Sequence, residues 1–346
     1  MKRVVALLLA MLVCLCSCAD VYRYTKDTFF AMNTVVNTII SSDIEEDNTR
    51  SIFSDIERRM SRTAKESEIY RLNNGENVEL SDDTLAVIKK SLEIAKNTDY
   101  AFNPCLGTLT DLWDITSGNN IVPSDEEIKA ALAFCNAQEV KVENGKVVIP
   151  DGMKIDLGGV AKGYALHKAS EELSEYAMGK AVSSDFCISL GGNVAVSGSS
   201  KSQKEHNEKG WNVGITNPFD KNEMLASIIL THGYVSVSGA YERFFEKDGK
   251  TYHHIFDGKT GYPSDSDLES AVVISDNGLE ADALSTALFV MGLDKAVEFY
   301  KKGIYDFNAI FVTKCGDVYA TKDVYHDFVL YKDAKDINCE NVTIIE

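Results

Sequence analysis

The sequence predicts an α+β fold, with mixed or antiparallel sheets and packed helices, from three observations. Amphipathic helical periodicity dominates the N-terminal half, at residues 48–60 and 81–98. Short alternating or β-branched runs, typical of strands, recur from Trp211 to Thr313, with Gly or Asp-Gly turns between several of them. Strands come in runs mixed with helices in runs, which favours α+β over the regular alternation of a βαβ fold.

The N-terminus has the form of a bacterial secretory signal. Two basic residues precede an apolar run at 4–13 that is too short to span a bilayer. Leu15 stands three places before Cys18, as in a lipoprotein box. We expect residues 1–17 to be the signal peptide and residues 18–28 to be the lipidated cysteine and a tether, with Cys18 diacylated on sulfur. The alternative is a soluble secreted protein in which Cys18 is unmodified.

Composition bounds the remaining chain, which we expect to form one domain over residues 29–346. The formal net charge of −18 excludes nonspecific nucleic-acid binding and a polybasic membrane patch. An acidic protein that binds phosphate must neutralise it locally, and a divalent cation is the economical way. Beyond Cys18 the cysteines are odd in number and lack a C-x-x-C pair, so we interpret them as mostly structural, buried thiols. They are Cys105, Cys135, Cys187, Cys315 and Cys339.

The elements follow in order from local patterns. Residues 29–40 alternate enough to be a strand around Met32-Asn33-Thr34. Ser81 caps the helix at 81–98, and Ser124 begins another helix with a capping-box pattern. Beyond a polar loop at 197–209, two helices are predicted at Leu279–Met291 and Asp294–Lys302. The predicted strands there are Trp211–Ile215, Ala226–Leu230, Tyr234–Ser238, Tyr252–Phe256, Ala271–Ser275 and Ala309–Thr313.

The segment from Asp156 to Gly163 is the most informative in the chain, because it combines a carboxylate, a lysine and three glycines. We predict that a strand at Lys154–Leu157 passes through these glycines into a helix that ends near Tyr176. Glycines let a ligand approach the main chain, and a helix N-terminus attracts phosphate. The alternative is a tight strand-to-helix turn with a solvated lysine.

Two further segments carry residues suited to phosphate chemistry. Asp282 and Thr286 are four residues apart on a predicted helix, so their oxygens share one face and can ligate a hard cation such as Mg²⁺. Taken alone, this pair is also explained by a helix cap and a back-bonded threonine. His254 stands on a predicted strand, immediately before a turn that runs to Pro263.

Together these segments resemble the ApbE family of flavin transferases, in order across nearly the whole chain after the signal. The resemblance implies a T-fold-like α+β domain that cleaves the pyrophosphate of FAD. FMN is then joined to a threonine or serine hydroxyl of another protein, and AMP is released. The residues that carry the resemblance are Met32-Asn33-Thr34, Ala101-Phe102-Asn103-Pro104, Asp156 to Gly163, Ser189-Leu190-Gly191-Gly192-Asn193, Ser238 to Arg243, His254 to Pro263, and Ala281 to Thr286.

The resemblance also implies roles for individual residues. Mg²⁺ would be held by Asp282, Thr286 and the backbone carbonyl of Gly159. Lys162 would stabilise charge on the transferring phosphoryl group, and we hypothesise that His254 is the general base with Asp257 as its orienting partner. An alternative for His254 is a hydrogen bond to the flavin or adenine. The residues aligned with FAD contacts are Met32, Tyr70, Ala101, Phe102, Asn103, Asp156, Lys162, Ile255 and Ser285.

The chain departs from the family pattern in three places. Asn33 replaces a glycine, and asparagine tolerates positive φ best among the other residues. Gly159 replaces a larger residue, which matters little if only its carbonyl binds metal. Gly258 replaces the commoner proline, which loosens the turn after Asp257.

Partners and location follow from the same resemblance. We expect the acceptor to be a subunit of a membrane redox complex with a Ser/Thr flavinylation motif. The enzyme would then be lipid-anchored on the extracytoplasmic face of the cell membrane. Two alternatives remain open: an FAD pyrophosphatase that yields free FMN and AMP, and a lipoprotein that binds flavin without chemistry.

Overall fold

A computed structural model describes residues 23–206, 208–339 and 342–346. The expected signal peptide and the lipidated Cys18 lie outside these residues. Within these ranges, each helix is too short or too polar to cross a membrane.

Strands and helices are mixed along the described chain. The strands are β1 (Tyr24–Ala31), β2 (Thr34–Ser41), β3 (Lys141–Glu143), β4 (Lys146–Val148), β5 (Phe186–Leu190), β6 (Asn193–Ser197), β7 (Trp211–Asn217), β8 (Asp220–Leu230), β9 (His232–Gly239), β10 (Phe244–Lys247), β11 (Lys250–His253), β12 (Leu268–Ser275), β13 (Asn308–Thr313), β14 (Val318–Thr321), β15 (Phe328–Leu330) and β16 (Val342–Ile345). The α-helices are α1 (Thr49–Met60), α2 (Glu68–Asn73), α3 (Asp82–Asn97), α4 (Gly107–Trp113), α5 (Asp125–Leu132), α6 (Ala161–Lys180), α7 (Lys201–Glu205), α8 (Gly278–Met291), α9 (Leu293–Lys301) and α10 (Lys322–Tyr325).

A nine-stranded sheet organises the molecule, in the order β1-β2-β5-β6-β9-β12-β13-β14-β16. Neighbouring strands run antiparallel except β14 and β16, which are parallel. Helices α1, α6 and α8 pack on one face over the main hydrophobic core. A smaller sheet, β15-β8-β7, encloses a second apolar cluster that includes Val235 of β9 and Val272 of β12. The predicted α+β fold with packed helices and largely antiparallel sheets is confirmed.

The helix predictions from periodicity and capping are confirmed. Ser81 accepts a hydrogen bond from the backbone of Thr84 at the start of α3. Ser124 and Glu127 form the predicted reciprocal capping box at the start of α5. These signals depend on residues three positions apart, so they could be identified without tertiary information.

The prediction of a single strand over residues 29–40 is wrong. The chain reverses at Met32-Asn33, and β1 then pairs with β2. Both turn residues have positive φ, 50° and 58°, as a type I′ hairpin requires. The expectation that Asn33 accepts positive φ is therefore confirmed. A two-residue turn does not interrupt the alternation of apolar side chains, which explains the error.

A second two-residue turn, Gly191-Gly192, joins β5 to β6 with φ angles of 45° and 73°. Because β2 lies beside β5, this turn and Met32-Asn33 lie at the same edge of the sheet. Strand β9 also ends at that edge, since it runs antiparallel to β6. This edge of the sheet borders the candidate site.

Candidate active site

The glycine-rich segment is positioned by loops, not by a strand. The prediction of a strand at Lys154–Leu157 is wrong, because these residues pair with no strand in the part of the chain that the structure describes. Instead, the Asp156 amide donates to the Pro104 carbonyl at 2.8 Å. The Asn73 side chain of α2 exchanges two hydrogen bonds of 2.8 Å with the backbone of Ile155. These contacts fix the segment beside residues 101–104.

Helix α6 starts against α8 at a crossing that only glycine permits. A methyl group on Gly163 would lie 2.1 Å from the Gly278 carbonyl oxygen and 2.6 Å from Cβ of Asp282. The contact is mutual: a methyl group on Gly278 would lie 2.4 Å from the Gly163 carbonyl oxygen. The two helix backbones therefore touch, which brings the N-terminus of α6 next to Asp282.

Asp282 is 5 % exposed and both of its oxygens accept hydrogen bonds. The Gly163 amide donates to Oδ2 at 2.8 Å. Nδ2 of Asn193, the first residue of β6, donates to Oδ1 at 3.3 Å. The carboxylate thus caps the N-terminus of α6. The N-cap residue itself, Val160, has no side-chain hydrogen-bond acceptor. Each carboxylate oxygen keeps further lone pairs for a ligand.

Thr286 lies one turn further along α8, on the same face. Its Oγ1 is 3.2 Å from Oγ of Ser238, which also contacts Oγ of Ser285 at 2.8 Å. A methyl group on Gly159 would lie 3.8 Å from Thr286 Oγ1 and 3.2 Å from the Phe102 ring. Gly159, Asp282 and Thr286, predicted as metal ligands, therefore converge where α6 begins.

Lys162 and Asp156 both belong to the glycine-rich segment and contact its backbone. The Lys162 ammonium donates to the Gly158 carbonyl at 3.3 Å. One oxygen of Asp156 accepts from the Gly158 amide at 2.9 Å, and the other pairs with Nε of Arg62 at 3.2 Å. Asp156 is thus held by two donors, of which Arg62 also pairs with Asp111.

His254 follows β11 directly and is oriented by a main-chain group. Its Nδ1 lies 3.3 Å from the Arg243 carbonyl, which also accepts from the His254 amide at 3.1 Å. The carboxylate of Asp257 accepts instead from the Lys259 amide at 2.8 Å, within its own turn. In the described residues, the orienting contact expected from Asp257 is therefore made by the Arg243 carbonyl.

Charge and enclosure by neighbouring groups shift the pKa values of residues around Lys162. Although part of its ring is accessible, enclosure by protein lowers the pKa of His254 to about 3, assisted by the cations Arg243 and Lys162. Although Glu242 is solvent-exposed, the surrounding protein raises the pKa of its carboxyl; the Lys162 charge opposes this shift and the Asp282 charge reinforces it. Lys162 therefore lies within electrostatic reach of both His254 and Glu242.

The other predicted contact residues lie around this centre. The Met32 amide donates to Oε2 of Glu57 on α1 at 2.9 Å, which ties the hairpin turn to that helix. Tyr70 lies half-buried on α2, the helix that carries Asn73. Ile255 is buried next to His254.

The remaining predicted contacts, Ala101 to Asn103, follow α3 in a short turn. Phe102 is buried against Gly159. The side-chain amide of Asn103 donates to the Cys135 carbonyl and accepts from the Cys105 amide, both at 2.8 Å. Asn103 therefore shapes its own loop, and its side-chain nitrogen and oxygen each have a protein partner.

The donor set suits a hard cation. Carboxylate, hydroxyl and carbonyl oxygens are the ligands that Mg²⁺ prefers. Within the described ranges there is no cluster of three or more His, Cys, Asp or Glu side chains fit for a metal. Any cation here would thus rely on Asp282 with neutral protein oxygens and ligand oxygens. Buried Oδ1 of Asn193, beside Asp282, has no hydrogen-bond partner among the described residues, so an acceptor is available where a cation or its water would sit.

Sequence reasoning assigned no role to several groups that complete the site. Asn193 and the segment Ser238–Arg243 were recognised only as part of the family pattern, and Glu57 and Arg62 were not singled out. Their partners are 11 to 94 positions away in the chain, and only the fold brings them together. The family pattern around Gly192 and Gly239 was the available signal.

Comparisons with known proteins agree with this geometry. The model of the ApbE family matches residues 32–311. A FAD:protein FMN transferase of Klebsiella pneumoniae is 37% identical over 224 residues, which cover 64% of this chain and 66% of the relative. One of Treponema pallidum is 35% identical over 227 residues, which cover 61% of this chain and 60% of the relative.

A solved structure gives a comparison over more of the fold. The crystal structure of the ApbE protein of Thermotoga maritima superposes with a TM-score of 0.78 at 32% identity. The superposition covers 88% of this chain and 99% of that chain. The aligned part of the chain spans less than two thirds of the length of each of the two curated relatives above.

Proposed function

The chain belongs to the ApbE family, and we propose from this premise that it is an FAD:protein FMN transferase. It would break the pyrophosphate bond of FAD and form a phosphoester between FMN and a Ser or Thr hydroxyl of an acceptor protein. AMP would leave. Relatives from two organisms that carry this name support the proposal.

The observation that carries the proposal is the convergence of Gly159, Asp282 and Thr286 at the N-terminus of α6. A helix N-terminus with exposed glycines accommodates phosphate oxygens closely. A purely structural role for Asp282 would account for its bond to Gly163. It would not account for a hydroxyl, a carboxylate and a glycine-lined backbone meeting at one point.

Mg²⁺ would be held by the Gly159 carbonyl, the Asp282 carboxylate and Thr286 Oγ1. The all-oxygen donor set and the unpaired Oδ1 of Asn193 fit such an ion. When bound, the ion would neutralise charge that accumulates on the phosphoryl oxygens. Lys162 supplies a second positive charge on the same side of α6, within reach of a diphosphate.

FAD would lie along the wall formed by the hairpin turn at Met32, helix α2 with Tyr70, and residues Ala101–Asn103. Asp156, Ile255 and Ser285 border the same cleft and are proposed as further contacts. The glycine contact between Gly159 and Phe102 supports this placement, because it leaves no side chain between the aromatic ring and the phosphate-binding backbone.

His254 is the proposed general base for the acceptor hydroxyl. With Nδ1 donating to the Arg243 carbonyl, Nε2 carries the lone pair that can take the proton. Its lowered pKa keeps the ring neutral at neutral pH. The positive charges of Lys162 and Arg243 disfavour a proton on His254. A bound diphosphate would offset these charges and so make Nε2 a better proton acceptor.

We propose that the acceptor is a protein on the outer side of the membrane, displaying a Ser/Thr flavinylation motif. The lipoprotein-like N-terminus with Cys18 supports anchoring on the extracytoplasmic face. A redox-complex subunit in the same membrane would then lie within reach of the enzyme.

Incubation with FAD, Mg²⁺ and a candidate acceptor tests the proposal. Mass spectrometry should detect an FMN adduct on the acceptor, and AMP should appear in equal amount. Free FMN with AMP would indicate a pyrophosphatase, and bound FAD without AMP would indicate a binding lipoprotein. Full activity in excess EDTA would contradict the metal requirement. A His254→Ala variant that transfers FMN at the wild-type rate would contradict the base role.

A further inference from the structure

Asn193 contacts the candidate metal ligand Asp282 from the sheet side. It is the first residue of β6, is 2 % exposed, and its Nδ2 donates to Asp282 Oδ1 at 3.3 Å. The Gly163 amide donates to the other oxygen, Oδ2. The two oxygens of the carboxylate are thus held from two different elements, β6 and α6. Only one orientation of the carboxylate plane therefore lets both donors keep their hydrogen bonds.

The backbone of Asn193 is itself fixed on both sides. It pairs with Leu190 across the Gly191-Gly192 turn and with Ser236 of β9. A Cβ at Gly191 would lie 2.6 Å from Oγ1 of Thr34, so this turn packs tightly on β2. Asn193 therefore cannot follow Asp282 if the carboxylate rotates. The sheet acts as the rigid reference for the position of the carboxylate.

The side-chain oxygen of Asn193 shows which of its contacts matters. Oδ1 is buried and has no hydrogen-bond partner in the described residues. Turning the amide over would not help, because it would place this oxygen against the Asp282 carboxylate and lose the donor. A buried amide with one unpaired end is costly to maintain. A residue kept only for packing would be better served by an apolar side chain of similar size.

We infer that Asn193 is a positioning residue for metal binding, which fixes the Asp282 carboxylate so that its remaining lone pairs face the cation. This inference rests on the proposed function, because it assumes that Asp282 ligates Mg²⁺. Groups that orient a ligating carboxylate through hydrogen bonds tune metal affinity without touching the metal. The unpaired Oδ1 would gain a donor only in the metal-loaded state, from water bound to the ion.

The test is metal binding without substrate. Mn²⁺ replaces Mg²⁺ so that free ion can be measured by electron paramagnetic resonance in the absence of FAD. In full-length Asn193→Leu, which removes the amide but keeps the branched shape of the side chain, the dissociation constant for Mn²⁺ should rise 10- to 100-fold. AMP release at limiting Mg²⁺ should fall in parallel and recover in part at high Mg²⁺. Asn193→Ser serves as a second, smaller substitution if the leucine variant fails to fold.

Asn217→Leu is the matched control. Asn217 is also a fully buried asparagine on a strand, β7, and its Nδ2 donates to the Lys335 carbonyl at 2.9 Å. Loss of this amide should lower thermal stability and leave Mn²⁺ affinity unchanged. If both Asn193 variants fold and bind Mn²⁺ as tightly as the wild type, Asn193 has only a structural role and the inference fails.

The design separates failure of the inference from failure of the proposed function. Wild-type protein that binds no Mn²⁺ and releases no AMP with Mg²⁺ would overturn the metal site, and the inference with it. Wild-type protein that binds Mn²⁺ and releases AMP, with unchanged Asn193 variants, would overturn the positioning role alone.

Discussion

Asp282 accepts a hydrogen bond at the start of α6 and is also the proposed metal ligand, and a single carboxylate can perform both roles. Its Oδ2 accepts the Gly163 amide, which would otherwise be an unpaired donor in the first turn of α6. Its other lone pairs are available to a ligand near Gly159 and Thr286. If only the position of Asp282 on a helix is considered, Asp282→Ala is expected to remove a metal ligand and leave the fold intact. The bond to Gly163 changes that expectation.

Replacement of Asp282 should therefore separate stability from catalysis. Asp282→Ala should lower the free energy of unfolding by about 1–2 kcal/mol, because the start of α6 loses its acceptor. Asp282→Asn keeps an acceptor oxygen for Gly163 and should retain more stability. Both variants should lose Mg²⁺-dependent AMP release. Urea unfolding and AMP assays over a Mg²⁺ titration measure the two effects. Equal stability of the alanine variant and the wild type would contradict the capping role.

The two neighbouring histidines make the protein sensitive to acid. His253 is buried between the Ser264 carbonyl and the Ile255 amide, and burial lowers its pKa from 6.5 to about 4. The unfolded chain takes up this proton below pH 6.5, whereas the folded protein resists it until about pH 4. The stabilisation is therefore fully present above pH 6.5 and is lost as the pH falls.

We predict that the free energy of unfolding decreases by roughly 3 kcal/mol between pH 6.5 and 4 through His253 alone. Urea unfolding at a series of pH values measures this slope. His253→Gln keeps an amide that can donate and accept but does not titrate, so its curve should be flatter over the same range. Parallel curves for the variant and the wild type would show that the acid sensitivity arises elsewhere.

At the residue scale, the sequence predicted the candidate ligands, but it did not predict the groups that contact them. Asp282 and Thr286 were identifiable because i, i+4 spacing is local, and Gly159 because it lies in a glycine-rich turn. Asn193 contacts Asp282, and Ser238 contacts Thr286, through tertiary pairings of strands and helices. No local pattern in the chain encodes such pairings.

At the scale of elements, the start of α6 depends on two facing glycines. A methyl group on Gly163 would meet the Gly278 carbonyl oxygen at 2.1 Å, and a backbone atom cannot move aside as a flexible side chain can. The crossing of α6 over α8 therefore requires glycine at both positions. The same crossing sets the distance between the glycine-rich turn and Asp282.

Gly163→Ala should consequently destabilise the protein by about 3 kcal/mol, as overpacking of a tight contact does. It should also weaken Mg²⁺-dependent activity, because α6 must shift away from Asp282. Gly179→Ala is the matched control in the same helix, where a methyl group meets nothing within 4 Å. In that variant the free energy of unfolding should rise by roughly 0.5–1 kcal/mol, because alanine lowers the backbone entropy of the unfolded chain. Denaturant unfolding of both variants checks the pair, and similar losses of stability would refute the role of the crossing.

The elements that sequence predicted best are those whose signals are local. Helices α3 and α5 began at their predicted caps, Ser81 and Ser124. The extended segment Lys154–Leu157 was predicted as a strand because it precedes a glycine turn, yet its hydrogen bonds go to Pro104 and Asn73. An extended backbone becomes a strand only when another strand lies beside it, and that neighbour is not encoded locally.

At the scale of the whole molecule, the antiparallel order of the sheet creates the site. Each hairpin returns the chain to the same edge, so the turns at Met32-Asn33 and Gly191-Gly192 meet the end of β9 there. The fold class could be predicted from the runs of strands and helices. The strand order could not, because it depends on pairings such as β2 with β5, which are separated by more than 140 residues.

Strand β1 lies between the first described residues and the candidate site. The described chain enters the sheet through β1, whose first residue is Tyr24 and whose last, Ala31, adjoins the hairpin turn at Met32. Eight residues of strand span about 26 Å, so the end nearest Cys18 lies far from the cleft. Lipidation would thus hold the protein at the membrane without touching the groups that carry the proposed chemistry.

A full-length Cys18→Ser variant should therefore leave the membrane fraction and keep wild-type Mg²⁺-dependent AMP release once purified. Cys315→Ser is the control, because Cys315 is an exposed free cysteine within the described chain and should affect neither property. Cell fractionation followed by assay of equal protein amounts measures both outcomes. Retention of the Cys18→Ser variant in the membrane would refute the lipid anchor. Loss of activity in the purified variant would show that the N-terminal segment contributes to the site, which would contradict the prediction.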